Sequence, residues 1–449
     1  MKVSPILRRC AALTVSAAAM LLASNASFAG KHVPFAIPSE KVAPAAQPNS
    51  TVHFGCELRK FDLSQGLFCY GPDAIRKAYG IKGLIDKGFT GKGHTIVIID
   101  AFGSPTVGAD LVAFDALFGL PDPVFQVITM PGTPAFDPTN DDMVGWTGEI
   151  ALDTQWAHAV APGAKIILVA AKSDFDEDLI AALNYALDHH LGDTVSMSFG
   201  ESEAFLGNPA GLDIIAAWQA AFQKAQRQRV TLFASSGDSG STNPMDADGN
   251  VLPFQNVSWP ASSQLVTSVG GTNLFFGSAT AADPNGSYQG EQVWNDGFGA
   301  GGGGMSVLID EPFTQLASVG SSINKTLHKH RGIPDVAYNG GVAGGVIVNW
   351  GVGGGCCFIF GGTSAGAPQW AGIIADLNQA QGRPLGFIND RLNLLGGFGG
   401  LRGLFHDVTL GDNAFGGQDG FPAKAGYDLS TGWGTPNFGL LGMTLSDPN

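Results

Sequence analysis

Thr95-Ile96-Val97-Ile98-Ile99-Asp100 is an apolar, β-branched run that ends on a carboxylate and meets a turn at Gly103. A short apolar run bounded by turn signals reads as a strand buried on both faces. The pattern recurs downstream with helical segments between the strands. Met143 to Ala161 reads as a helix, Lys165-Ile166-Ile167-Leu168-Val169-Ala170 as a strand, and Asp176 to His189 as a helix. Thr194-Val195-Ser196-Met197-Ser198 and Val230-Thr231-Leu232-Phe233-Ala234 follow as strands, with a helix from Leu212 to Gln228 between them. Repeated βαβ units with nearly all-apolar strands predict an α/β fold in which a mainly parallel sheet is flanked by helices on both faces. No repeat of fixed period and no long linker interrupts the series. Residues 240–360 are richer in turns and glycine, notably Gly299 to Gly304 and Gly353 to Gly355. No Gly-Lys-Ser/Thr follows, so neither run is a phosphate loop. They are expected to line a surface groove or to let chain segments pack closely.

The chain has 449 residues, of which 44% are hydrophobic, and its 64 glycines imply many tight loops. Residues 1–29 read as a secretory signal: Lys2, Arg8 and Arg9, an apolar run from Ala11 to Ala23, and a cleavage site at Ser27-Phe28-Ala29. Export to the medium or the periplasm is therefore expected, and no stretch is long enough to span a bilayer. Without residues 1–29, Lys+Arg falls from 24 to 21 against 39 Asp+Glu, a formal charge of −18. Nucleic acid is excluded as a partner, because phosphate binding needs a basic face. A surface so acidic loses self-repulsion as carboxylates protonate, which favours tolerance of acid. Four cysteines remain. Cys56 and Cys69 suit a short disulfide in the N-terminal segment, while Cys356 and Cys357 either bridge each other or cross-link elsewhere.

Chemistry gathers at three places. The helix from Met143 is apolar nearly all round, yet carries Glu149 and Asp153 one turn apart. Either they form a small solvated stripe, or they are a buried dyad in which one carboxyl is a base and the other orients it. Asp238, in Ser235-Ser236-Gly237-Asp238-Ser239-Gly240, follows a strand at the carboxyl edge of the sheet, where open α/β folds bind ligands. A turn aspartate capping its own loop has the same appearance. Ser364 lies in Gly362-Thr363-Ser364-Ala365-Gly366-Ala367-Pro368 before an apolar helix, as a nucleophile beside oxyanion donors or as an ordinary cap. Asp100 ends its strand at the same edge. In a Ser/His/Asp triad it would need a histidine opening a helix, but His158 sits near the end of its predicted helix.

Together Gly148-Glu149-Ile150-Ala151-Leu152-Asp153, Ser236-Gly237-Asp238-Ser239-Gly240, the Ser364 motif and Gly426-Tyr427-Asp428-Leu429-Ser430-Thr431-Gly432-Trp433-Gly434 resemble the sedolisins. These are serine-carboxyl peptidases with a subtilisin-like fold and glutamate in place of histidine. The resemblance covers about residues 72–440. It implies Ser364 as nucleophile, Glu149 as general base, Asp153 as its orienting partner, and protonated Asp238 as oxyanion donor with the Ser364 N–H. It implies acid activity, and polypeptide substrates bound as extended strands along Ser198-Phe199-Gly200. It also implies one structural calcium ion held by Asp407, the carbonyls of Val408, Lys424 and Gly426, and Asp428. Asp100 and Phe199 stand where many sedolisins carry Glu and Trp. Residues 72–449 would form the peptidase domain, acting as a monomer. Residues 30–71 are too short for the long propeptide of many sedolisins and are expected to form an N-terminal extension. A histidine-dependent subtilisin relative and a catalytically silent binding or surface protein on this fold are the alternatives.

Overall fold

Alternation along a strand sends neighbouring side chains to opposite faces of a sheet, and both faces here are covered. The structure is a computed structural model that describes residues 31–44, 54–59, 66–244, 250–277, 286–397 and 403–445. The secretory signal read over residues 1–29 lies outside them. An eight-stranded sheet forms the middle layer. Its strands are β1 (Thr95–Ala101), β2 (Val124–Thr129), β3 (Lys165–Ala171), β4 (Thr194–Met197), β5 (Thr231–Ser235), β6 (Thr267–Phe276), β7 (Tyr288–Val293) and β8 (Val336–Asn339). They lie in the order β7-β6-β5-β4-β1-β3-β2, with β8 also paired to β6. All neighbours are parallel except β6 with β7.

Ile96 and Ile98 of β1 enter the core shared with helices α1 (Asp141–Val160) and α4 (Ala367–Gln381), against Trp156 and Trp370. Val97 and Ile99 enter the opposite core, against Leu183 of α2 (Asp176–Asp188) and Trp218 of α3 (Pro209–Gln228). The result is the three-layer α/β arrangement that the strand pattern predicts. Parallel pairing also brings the carboxyl ends of β1, β4 and β5 to one edge, which fixes where Asp100, Ser198 and Asp238 gather.

Among the elements that escape the sequence pattern are a helix over Val107–Phe118 and the edge strand β2, where Val124 and Val127 face solvent. The glycine-rich region 240–360 holds β6, β7 and β8. It also supplies two strands of a four-stranded sheet, Gly345–Trp350 and Gly355–Gly361, flanked by Cys69–Tyr70 and Ile37–Lys41. Its glycines serve close packing: a Cβ on Gly302 would overlap the carbonyl of Ser236. The Sγ atoms of Cys56 and Cys69 stand 2.01 Å apart, and Cys356 is joined to Cys357. Among the described residues no helix is long and apolar enough to cross a membrane.

Candidate active site

α1 starts at Asn140, whose side chain accepts the Met143 N–H at 3.1 Å, and it then runs through the protein interior. Glu149 and Asp153 are both fully buried, so the solvated-stripe reading fails. Glu149 Oε2 accepts the backbone N–H of Ala36 at 2.7 Å, and Ser364 faces the same carboxyl and favours its charged form. Burial nonetheless pushes Glu149 well above the ordinary carboxyl range, and the neighbouring Asp153 adds to the shift. Asp153 is pushed up for the same reason, first by burial and then by Asp100, with Ser198 opposing. Asp100 stands behind it at the end of β1, fully buried, with neither oxygen hydrogen-bonded. Burial and the nearby Glu149 raise it strongly. Three carboxyls are therefore stacked at the sheet edge, and their proximity forbids full ionisation.

Ser364 occupies a single helical turn, Thr363–Ala365, directly before α4. Its Oγ lies 3.4 Å from the carbonyl of Ser198. Asp238 reaches the same turn from the loop after β5: its Oδ1 accepts the N–H and the hydroxyl of Thr363, both at 2.8 Å. Its Oδ2 is buried without a hydrogen-bond partner. Burial pushes this carboxyl up to about 8, so below that pH it carries a proton and can donate. Asp238 therefore does not cap its own loop: one oxygen holds the serine turn through Thr363, and the other is left for the donor role.

The sequence pattern missed two contributors. Thr363 orients Asp238, and only its place beside the serine hinted at that. Residues 33–41 cross the site: Val33–Pro34 pairs antiparallel with Phe199–Gly200, and Ile37–Lys41 with the strand Gly355–Gly361. The signal for the latter was Val33-Pro34-Phe35-Ala36-Ile37-Pro38, an apolar stretch whose two prolines favour extended backbone.

The histidine weighed for a triad is engaged elsewhere. His158 lies 3.0 Å from the carbonyl of Pro121 and 3.4 Å from Asp115, and burial holds it down at about 4. At 1.5 Å per residue, its place nine residues beyond Glu149 on α1 puts it roughly 14 Å along the axis. In the C-terminal loop, Asp407 accepts the Gly426 N–H at 3.1 Å and Asp428 the Lys424 N–H at 2.9 Å. Both carboxylates therefore bear on one turn, 424–426. Their carboxylate oxygens are of the hard kind that calcium takes.

The family model described as the subtilase family matches residues 143–387, more than half of the chain, from the first turn of α1 to beyond α4. The chain belongs to the subtilase family. Its relatives there are the sedolisins. Kumamolisin of Bacillus sp. (strain MN-32) is 35% identical over 375 residues, covering 82% of this chain and 62% of its own. Sedolisin of Pseudomonas sp. (strain 101) is 32% identical over 366 residues, covering 78% of this chain and 58% of its own. This subtilase thus spans less than two thirds of the length of these relatives. A solved structure of Pseudomonas sedolisin, a serine-carboxyl proteinase complexed with pseudo-iodotyrostatin, matches with a TM-score of 0.69 at 28% identity. It covers 84% of this chain and 98% of that one. The subtilisin-like fold follows from these matches.

Proposed function

We propose that this subtilase is an exported serine-type endopeptidase, active in acid, that cleaves polypeptides by acyl transfer. The observation that carries the reading is the buried pair Ser364 and Glu149, with His158 occupied elsewhere. Ser364 Oγ attacks the carbonyl carbon while Glu149 takes its proton. Asp153 holds Glu149 in place. The oxyanion is met by the Asp238 carboxyl O–H and the Ser364 N–H. Glu149 then passes its proton to the leaving amine, and water repeats the sequence to release the acyl product. Asp238 donates only while protonated, so the rate falls as pH rises towards about 8. A cleft crossed by chain on both sides of Ser364 supports cleavage inside a polypeptide rather than at its end.

The same reading takes the enzyme as a monomer with the Cys56–Cys69 disulfide formed and residues 1–29 directing export. Asp407, Asp428 and the carbonyls of Val408, Lys424 and Gly426 would hold one calcium ion, supplying positive charge that stiffens the loop. The test is cleavage of an unfolded protein from about pH 3 to 8, with Ser364→Ala and Glu149→Gln run beside the parent. Acid-limited activity lost in both variants is expected. Activity that survives Glu149→Gln, or that peaks at or above neutral pH, would sink the assignment.

A further inference from the structure

A carboxylate and an imidazole turned inward at an apolar helix crossing are destabilising unless something meets them. Such a pair stands at the far end of α1 from the catalytic carboxyls. The helix Val107–Phe118 packs on α1 through Phe114, whose ring is edge-on to Trp156 with centroids 6.1 Å apart. Beside it Asp115 is only 2% exposed, and His158 of α1 is fully buried. Neither oxygen of Asp115 accepts a hydrogen bond. His158 Nε2 lies 3.4 Å from Asp115 Oδ1 and 3.0 Å from the carbonyl oxygen of Pro121. Its Nδ1 has no hydrogen-bond partner, so neither tautomer is favoured from that side.

The backbone brings the third atom in. The helix ends at Gly119, whose φ of +65° lets the chain reverse, and Leu120 N returns to the Asp115 carbonyl at 3.0 Å. That reversal turns the Pro121 carbonyl back over His158. Pro121 and Asp122 are exposed, so the three atoms can be reached from solvent through this loop. Asp122 is near enough to Asp115 to act on its charge. Arg76 faces the group from the other side, where its Nε donates to the Ala159 carbonyl at 2.5 Å. Its charge is met by Asp73 at 3.8 Å and by Asp376, which leaves the two carboxylates at the loop to dominate the site.

Two atoms bound to one ion at about 2.0–2.2 Å stand about 3.0 Å apart at right angles and about 3.4 Å apart in a tetrahedron. The separations at His158 Nε2, 3.0 and 3.4 Å, match these values, and the longer one is outside the range of a charge-assisted hydrogen bond. We propose that His158 Nε2, an Asp115 carboxylate oxygen and the Pro121 carbonyl form a second metal site, for a divalent ion of the zinc class. One imidazole nitrogen with two oxygens suits zinc and its neighbours in the series, whereas calcium takes oxygen ligands. Water entering past Asp122 completes the coordination. The bound ion joins three pieces of chain: the end of α1, the helix Val107–Phe118 and the loop that enters the edge strand β2. It takes no part in acyl transfer. It fastens an exposed loop, the kind of segment at which a protease is open to self-digestion.

The purified full chain tests this after treatment with a chelator and return to excess calcium. Zinc is titrated into it by calorimetry at about pH 7. One equivalent is expected to bind, and to bind about a hundredfold or more weaker in Asp115→Asn and in His158→Gln. Asp122→Asn, a change at an exposed position that spares the packing, should weaken binding about threefold or more. Zinc should raise the melting temperature of the parent and not of Asp115→Asn or His158→Gln. Cobalt(II) in place of zinc should show the visible absorption of an imidazole-bound ion in the parent and lose it in His158→Gln. A parent that takes up no zinc while calcium is present overturns the inference. So does zinc that binds Asp115→Asn and His158→Gln as tightly as the parent. Binding abolished by Glu149→Gln overturns it too, because the ion would then lie among the catalytic carboxyls.

Discussion

Asp238 offers the sharpest separation of roles, because its two oxygens do different things. Oδ1 holds Thr363 through two hydrogen bonds, while Oδ2 is buried and unpaired beside Gly362. Asp238→Asn keeps an oxygen for Thr363 and places an NH2 at the Oδ2 position, a donor that does not titrate. Asp238→Ala removes both functions. Loss of one oxyanion donor costs roughly 10²–10³ in kcat, about 2.7–4 kcal/mol, so the alanine variant should fall at least that far. The amide donor should keep the asparagine variant within about tenfold of the parent in acid, since exchanging one neutral hydrogen bond for another changes about 1 kcal/mol. The carboxyl's pKa is raised to about 8, so the donor is present below that pH and lost above it. The parent should therefore lose activity as pH rises through this range, and the asparagine variant should not. The assay is kcat and kcat/KM on a quenched peptide across pH, with circular dichroism confirming the fold. An asparagine variant with the parent's alkaline limb, or an alanine variant within about threefold of the parent, would refute the donor role.

Gly362→Ala should lose cleavage of added substrate by about a hundredfold or more, since at a positive φ its methyl would overlap the place of the Phe35 carbonyl, in the chain that crosses the site beside Asp238; near-parent kcat/KM would contradict it. Calcium removal by a chelator should lower the melting temperature by several degrees, about 1–2 kcal/mol, with activity recovering on calcium addition; an unchanged melting curve would remove the ion from the account. Stability should favour acid. The raised carboxyls Asp100, Asp153 and Asp238 are neutral in the fold, so their contribution is complete below the unfolded value of about 4 and is lost as pH rises towards their folded values. Inactive Ser364→Ala should melt higher at about pH 4 than at about pH 8 by calorimetry; the reverse order would mean these groups are not buried neutral.

Glu149, Asp153, Asp238 and Ser364 could be picked from the sequence because each sits in a short run whose element could be read. Two share one helix, one follows an apolar strand, and one precedes an apolar helix. Parallel βαβ order then brings those ends together. β2 left no such mark, because it is an edge strand with Val124 and Val127 exposed. β6 was hidden by Gly270 and Gly271, which interrupt its apolar run where other chain segments press close. Nor did the sequence show what residues 31–41 do. Their pairing joins positions far apart through backbone hydrogen bonds, which any side chain can accompany. Helix starts were read late: α3 begins at Pro209 behind the Asn208 cap rather than at Leu212.

The carboxyl stack explains how an acid can serve as a base where histidine could not. In acid an imidazole is already protonated and has no lone pair to offer, whereas a carboxyl still exchanges its proton. Burying three carboxyls in a row is destabilising unless most stay neutral. The donors around them are graded. Glu149 accepts the Ala36 N–H and faces Ser364, whereas neither Asp153 nor Asp100 has a hydrogen bond to either oxygen. When one proton leaves the stack, the charge is best held at Glu149, the end that touches Ser364 and the peptide. Asp100 sits behind Asp153, one carboxyl removed from the reacting atoms. Glutamate at 149 is therefore selected by position as much as by acidity: it is the member of the stack with both a proton to exchange and a substrate to exchange it with.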